Sequence, residues 1–295
     1  MKKIKNLPEQ EAAKPFIGTN YTESIHSNSI HILGFCFDGT ASFRPGARFG
    51  PDATRDASFG LETYSPYLNK DLEDYKINDC GNLPIHPSSW LKTNTYFHEH
   101  TKDLDLKKDQ IKFLTLGGEH SISYGPIRLH LDQYEDLFIL HLDAHADLRD
   151  GYLGERYSHA SIIKRVMDHF SSKNDLLQYG IRSGLKEEFE FMQAKNTKAN
   201  SLDECLERLK ALAPTRPIYL TLDLDFFDPA YLPGTGTPEA GGENFQSFIQ
   251  ILKILDKKNL VGADIVELAP GIDPTGNSAA FASKVTREVL LAIKN

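Results

Sequence analysis

Asp143-Ala144-His145-Ala146-Asp147 closes an apolar run, Leu137 to Leu142. In an extended chain, positions i, i+2 and i+4 point to one side. Three side chains able to hold a metal ion would converge there, with only alanines between them. A second apolar run, Ile218 to Leu224, carries Asp223-Leu224-Asp225 at its end. A third, Ile111 to Leu116, runs into Gly117-Gly118-Glu119-His120. Two histidines and four aspartates therefore sit where strands would end.

The alternation around these runs sets the fold class. Strands are expected at Ile111–Leu116, Leu137–Leu142, Leu176–Ile181, Ile218–Leu224 and Leu260–Val266. Helices are expected at Ile122–Leu131, His159–Phe170, Glu187–Met192, Leu202–Leu212, Phe245–Leu255 and Ser278–Ile293. Such apolar strands, separated by helices, imply a mainly parallel sheet covered on both faces. Ligands of such sheets bind beyond the carboxyl ends of the strands, where the three clusters lie.

Upstream, Ser29–Phe37 reads as the first strand, and a helix is expected from Pro51. The Gly- and Pro-rich loop between them, with Arg44 and Arg48, suits binding or loop anchoring equally. Residues 61–110 are less regular, with a short strand near Tyr75–Ile77 and a helix over Asn94–Thr101. His98 and His100 read as surface histidines. The division is an N-terminal arm over 1–28 and one catalytic domain over 29–295.

Thirty-three Lys and Arg against 41 Asp and Glu give a net charge of −8, which disfavours nucleic acid as a partner. Cys36, Cys80 and Cys205 form no paired pattern, so reduced thiols and a cytoplasmic location are expected. No secretory signal and no membrane-length apolar run is visible.

Four carboxylates cannot share a small pocket without compensating cations. The six side chains His120, Asp143, His145, Asp147, Asp223 and Asp225 are plentiful for one ion and reasonable for two. Imidazole and carboxylate without thiolate point to Mn²⁺ or another borderline ion. Paired ions activate water, so metal-assisted hydrolysis is the general reading.

Gly117–Ser121 (GGEHS), Asp143–Asp150 (DAHADLRD) and Leu222–Gly242 (LDLDFFDPAYLPGTGTPEAGG) resemble the three signatures of the ureohydrolase family, the arginases and agmatinases. The resemblance runs from about Asp38 to the C-terminus. It implies a three-layer α/β/α arginase-like fold holding two Mn²⁺ ions, with the six residues above as ligands and Asp143 and Asp225 bridging. A hydroxide between the ions would attack the guanidinium carbon. By the same resemblance His159 serves the leaving amine, and Glu267 grips the guanidinium. A homotrimer or homohexamer is implied too.

FDGTASFRPGARFGP, ETYSPY and GERYSHAS look more like agmatinases than arginases. The expected substrate is then agmatine, a small cationic guanidino compound, giving putrescine and urea and so polyamine biosynthesis. Asp150 and Glu155 are candidates for its distal ammonium, by proximity in sequence. Arg149 leaves 4-guanidinobutyrate open as an alternative, and arginase, formiminoglutamase or a non-catalytic relative would share the metal site. His141, Glu119 and Asp264 are expected to support the ligands rather than join them.

Overall fold

The computed structural model describes residues 2–3 and 14–293. Eight strands form the central sheet: β1 (Asn20–Tyr21), β2 (Ser29–Phe35), β3 (Ile77–Asn82), β4 (Ile111–Gly117), β5 (Phe138–Leu142), β6 (Asp175–Tyr179), β7 (Pro217–Asp223) and β8 (Asn259–Val266). Their spatial order is β6-β5-β7-β8-β4-β2-β3-β1, and every neighbouring pair is parallel. Strands β5, β7 and β2 are buried at every position, as continuous apolar runs require when helices cover both faces.

Helices α1 (Gly50–Ser58), α6 (Leu202–Ala211), α7 (Phe245–Leu255) and α8 (Asn277–Ala292) cover one face. Their apolar sides, with Leu209, Phe248, Leu252 and Val289 fully buried, pack on Leu140, Leu220 and Leu222. Helices α2 (Trp90–Thr101), α3 (Tyr124–Leu131), α4 (Ile162–Met167) and α5 (Lys186–Lys195) cover the other. There Phe97 meets Leu33 and Phe113, while Ile127, Ile163 and Met192 meet Ile139 and Tyr219. The result is the expected three-layer α/β/α arrangement.

Several boundaries differ from the sequence expectation. Strand β2 stops at Phe35, because Phe37 N–H turns back to Phe35 O. The strand expected near Tyr75–Ile77 starts only at Ile77 and runs to Asn82. The helices expected from Ile122 and His159 open with 3₁₀ turns, His120–Ser123 and His159–Ser161, before α3 and α4. Of the expected arm, Phe16 is fully buried and donates its N–H to Asp79 Oδ2 at 2.9 Å; Asn20–Tyr21 then adds the edge strand.

Helix α7 matches its expected bounds, since Asn244 Oδ1 caps the free N–H groups of Gln246 and Ser247 and defines its start.

Beyond β4 the backbone of Gly117–Glu119 is pinned from both sides. Gly118 N–H and Glu119 N–H donate to Phe35 O and Phe37 O, and Gly118 O accepts from Glu267 N–H, each at 2.8 Å. A Cβ on Gly118 would fall 1.9 Å from Phe37 O, so only glycine fits this approach. Gly118→Ala is therefore expected to destabilise the protein by at least about 2 kcal/mol, through forced displacement of packed backbone. Denaturant unfolding checks this; a midpoint unchanged from the parent would mean that the two backbone segments separate freely.

Candidate metal centre

Strands β5, β7, β8 and β4 are adjacent in the sheet, and their C-terminal ends deliver every candidate ligand to one place. The order of the chain reverses here, because β7 and β8 fill the space between β4 and β5. This is the crevice where parallel sheets bind ligands.

The cluster has two lobes. In the first, His120 Nδ1 faces Asp143 Oδ2 at 2.9 Å, Asp147 Oδ2 at 3.1 Å and Asp223 Oδ2 at 3.4 Å. In the second, His145 Nδ1 lies 2.9 Å from Asp225 Oδ2 and 3.6 Å from Asp143 Oδ1. Asp143 thus serves both lobes, one oxygen in each. Asp223 and Asp225, expected side by side, divide between the lobes. The reason is local: β7 ends at Asp223, which caps a 3₁₀ turn by accepting Asp225 N–H at 2.8 Å. Likewise β5 ends at Leu142, and Asp147 stands on left-handed backbone, φ 54°.

A row of polar side chains lies one step below the ligands. Thr221 pairs with His141 on one side and Asp264 on the other. Its hydroxyl donates to Asp264 Oδ1 at 2.7 Å and stands 2.9 Å from His120 Nε2. A hydroxyl has one proton to give, so Nε2 must donate to it. That leaves Nδ1 as the nitrogen of His120 that could hold an ion, the arrangement by which metal-binding imidazoles are oriented. His141 Nε2 lies 2.7 Å from Asp143 Oδ2, and Gln178 Nε2 lies 3.0 Å from its Nδ1, so it steadies that carboxylate.

The electrostatics suit a site that could hold cations. Burial lowers the His120 pKa, but Asp143, Asp147 and Asp223 outweigh it and hold the imidazole well above its usual range. Burial opposes a charge on His145 too, yet Asp225 and Asp143 push it up to about 12. Burial and the neighbouring Asp225 and Asp143 hold Asp223 well above the carboxylate range. His120 Nδ1 and Asp225 Oδ2 are buried without a hydrogen bond, although carboxylate or imidazole atoms surround each. Divalent ions in the two lobes would satisfy both atoms and replace the imidazole protons.

Above the cluster is a cavity of about 180 Å³, walled by Ser42, Arg149, Tyr152, His159, Ser183, Glu188, Thr237 and Glu267 among others. Glu267 stands on left-handed backbone, φ 70°, with Oε1 accepting His120 N–H at 2.7 Å. Burial, reinforced by Glu119, holds its pKa well above the usual value. His159 lies between Thr40 and Ser42, and burial, then the charges of His145 and His120, lower it to about 4.

The structure does not bring Asp150 or Glu155 into this cavity. Asp150 is 93% exposed and pairs with Arg165 at 2.6 Å. Glu155 is exposed in the turn where its backbone pairs with Tyr152. A carboxylate that does reach the wall, besides Glu267 and the cluster itself, is Glu188, from the first turn of α5. It accepts the N–H groups of Leu148 at 2.8 Å and Leu185 at 2.7 Å, and nothing in its local sequence signals this. Arg149 Nε lies 3.9 Å from Glu188 Oε2, with its guanidinium 4.5 Å above the Tyr152 ring.

A parallel sheet between two helical layers, with a buried imidazole–carboxylate cluster at the C-terminal ends of its strands, defines an α/β fold with a candidate metal centre. The family model described as the arginase family matches residues 28–292. The agmatinase of Bacillus cereus is 40% identical over 288 residues, spanning 96% of this chain and 97% of the relative. The agmatinase of Bacillus subtilis is 40% identical over 265 residues, spanning 88% and 90%. The solved proclavaminate amidino hydrolase of Streptomyces clavuligerus superposes with a TM-score of 0.86 at 26% identity, spanning 97% of this chain and 98% of that one. The chain belongs to the arginase family and is a ureohydrolase-type enzyme. Among the described residues no helix is long and apolar enough to cross a membrane.

Because Asp143 serves both lobes, Asp143→Asn is expected to weaken metal loading throughout the site by at least about tenfold, and Asp147→Asn in one lobe only. Metal content after equilibrium dialysis separates the two; equal losses would contradict the shared role. Loading with Mn²⁺ should also release protons from the imidazoles. Calorimetry in buffers of different ionisation enthalpy measures this, and identical heats would show that no proton leaves.

Proposed function

We propose that this chain is an agmatinase, hydrolysing agmatine to putrescine and urea with two Mn²⁺ ions. The observation that carries the reading is Glu267 beside the two-lobed cluster in a single cavity. A carboxylate there can accept parallel N–H bonds from a guanidinium and hold its carbon over the cluster. The names of the 40% identical relatives support agmatine as the substrate.

His120, Asp143, Asp147 and Asp223 would hold one ion, and His145, Asp143 and Asp225 the other. The chemistry such a pair supplies when bound is activation of a water for attack on the guanidinium carbon. The residues around it do the rest. Glu267 orients the guanidinium. His159, a neutral imidazole on the cavity wall, can carry a proton to the departing amine at Nε2. Glu188 offers negative charge further along the wall to a distal ammonium, the task once expected of Asp150 and Glu155. The reading includes a cytoplasmic location, consistent with the three free cysteines, and a homotrimer or homohexamer.

One observation favours a second reading. Arg149 lines the cavity and would pair with a carboxylate tail such as that of 4-guanidinobutyrate. Against it, Glu188 and the Tyr152 ring already occupy one side of that guanidinium.

Urea release by the Mn²⁺-loaded protein from agmatine, arginine and 4-guanidinobutyrate decides between them. Agmatine is expected to give the highest kcat/KM. A preference for 4-guanidinobutyrate would make Arg149 the tail anchor and reject agmatine. His159→Ala is expected to lower kcat by about 100-fold with metal content intact. Unchanged turnover would remove His159 from the proton path.

A further inference from the structure

The loop after β2 reaches across the mouth of the site and places Thr40 between two groups. Thr40 Oγ1 lies 2.5 Å from Glu119 Oε1 and 3.3 Å from His159 Nδ1, and it accepts His159 N–H at 3.2 Å. Glu119 is fully buried and collects donors only: Thr40 N–H at 2.7 Å, the Thr40 hydroxyl and the Ser121 hydroxyl. On the far side of the ring, His159 Nε2 stands 3.2 Å from Ser42 Oγ, on the cavity wall.

We infer that Thr40 is a positioning residue that fixes the tautomer of His159. A threonine hydroxyl has one proton and two lone pairs. Its proton goes to Glu119, at the shorter of its contacts. Both lone pairs then face His159, one accepting the backbone N–H and the other the ring. The ring contact can form only if Nδ1 carries the hydrogen. Nε2 of the neutral imidazole is therefore bare and turned to the cavity, free to take up a proton there and pass it on. Glu119 acts through Thr40 as the third member of a relay of carboxylate, hydroxyl and imidazole. The same logic orients the base in other carboxylate–histidine sites, here with a hydroxyl interposed. The Tyr152 ring, edge-on to the imidazole at 5.7 Å between centroids, limits rotation of the ring without offering either nitrogen a partner.

The inference rests on His159 acting in the proposed hydrolysis, but the tautomer can be read without turnover. In the full-length protein loaded with diamagnetic Zn²⁺ at alkaline pH, ¹⁵N spectra of the histidine rings should show a protonated Nδ1 and a bare Nε2 for His159. The His159→Ala spectrum assigns the signal. A bare Nδ1 would overturn the inference whatever the substrate. In the Mn²⁺-loaded protein, Thr40→Val should lower kcat for agmatine by about 10- to 100-fold, with KM and metal content close to the parent. Thr40→Ser, which keeps the hydroxyl, should recover most of that loss. A Thr40→Val kcat within twofold of the parent, or no recovery in a folded Thr40→Ser, would overturn the positioning role. If the parent itself leaves agmatine intact, the substrate reading fails, and the ring spectra still decide the tautomer.

Discussion

Burying carboxylates next to one another is the constraint on which this structure turns. Asp143, Asp147, Asp223 and Asp225 lie together beneath the surface, where mutual repulsion and lost hydration oppose their charge. The chain answers with imidazoles inside the cluster and backbone N–H groups around it: His145 N–H on Asp143, Ala144 N–H on Asp225 and Asp225 N–H on Asp223. These donors orient the oxygens without neutralising them, which leaves charge that bound cations could meet. A parallel sheet suits the task, since four adjacent strands end at one level and their C-terminal ends supply both the candidate ligands and orienting N–H groups.

Placement of the ligands depends on the rows behind them. The polar row of His141, Thr221 and Asp264 crosses β5, β7 and β8 and continues to Gln178 on β6 and Thr115 on β4. His141, Thr221 and Asp264 are each fully buried and have a partner, as a polar group removed from water requires. The row converts sheet register into side-chain orientation: a one-residue slip would replace it with apolar residues (leucines on β5 and β7, alanine or isoleucine on β8) and turn His120 and Asp143 loose.

The sequence made the framework readable because two periodicities coincide with burial. Apolar runs of strand length alternate with helical ones, and metal-competent residues follow the runs directly. His120, Asp143, His145, Asp147, Asp223 and Asp225 could thus be chosen together, and the structure does gather them. What it concealed was direction after each strand ends. The division of Asp223 from Asp225 follows from a 3₁₀ turn, the outward position of Glu155 from a tight reversal at Tyr152, and Asp150 is turned to Arg165 instead. Contacts such as Glu119 with Thr40, or Glu188 with Leu148, join residues 79 and 40 positions apart, and no local pattern announces them.

Two carboxylates of the candidate site, Asp147 and Glu267, occupy left-handed backbone, which costs side chains other than glycine up to about 1–3 kcal/mol, less for aspartate than for glutamate. Glycine at either place would relieve that cost and also remove a charge the fold must otherwise accommodate. If both carboxylates serve the proposed hydrolysis, stability and activity pull these positions in opposite directions. A lineage released from the need for turnover would be drawn toward glycine at 147 and 267 first, shedding its activity while its fold grew firmer.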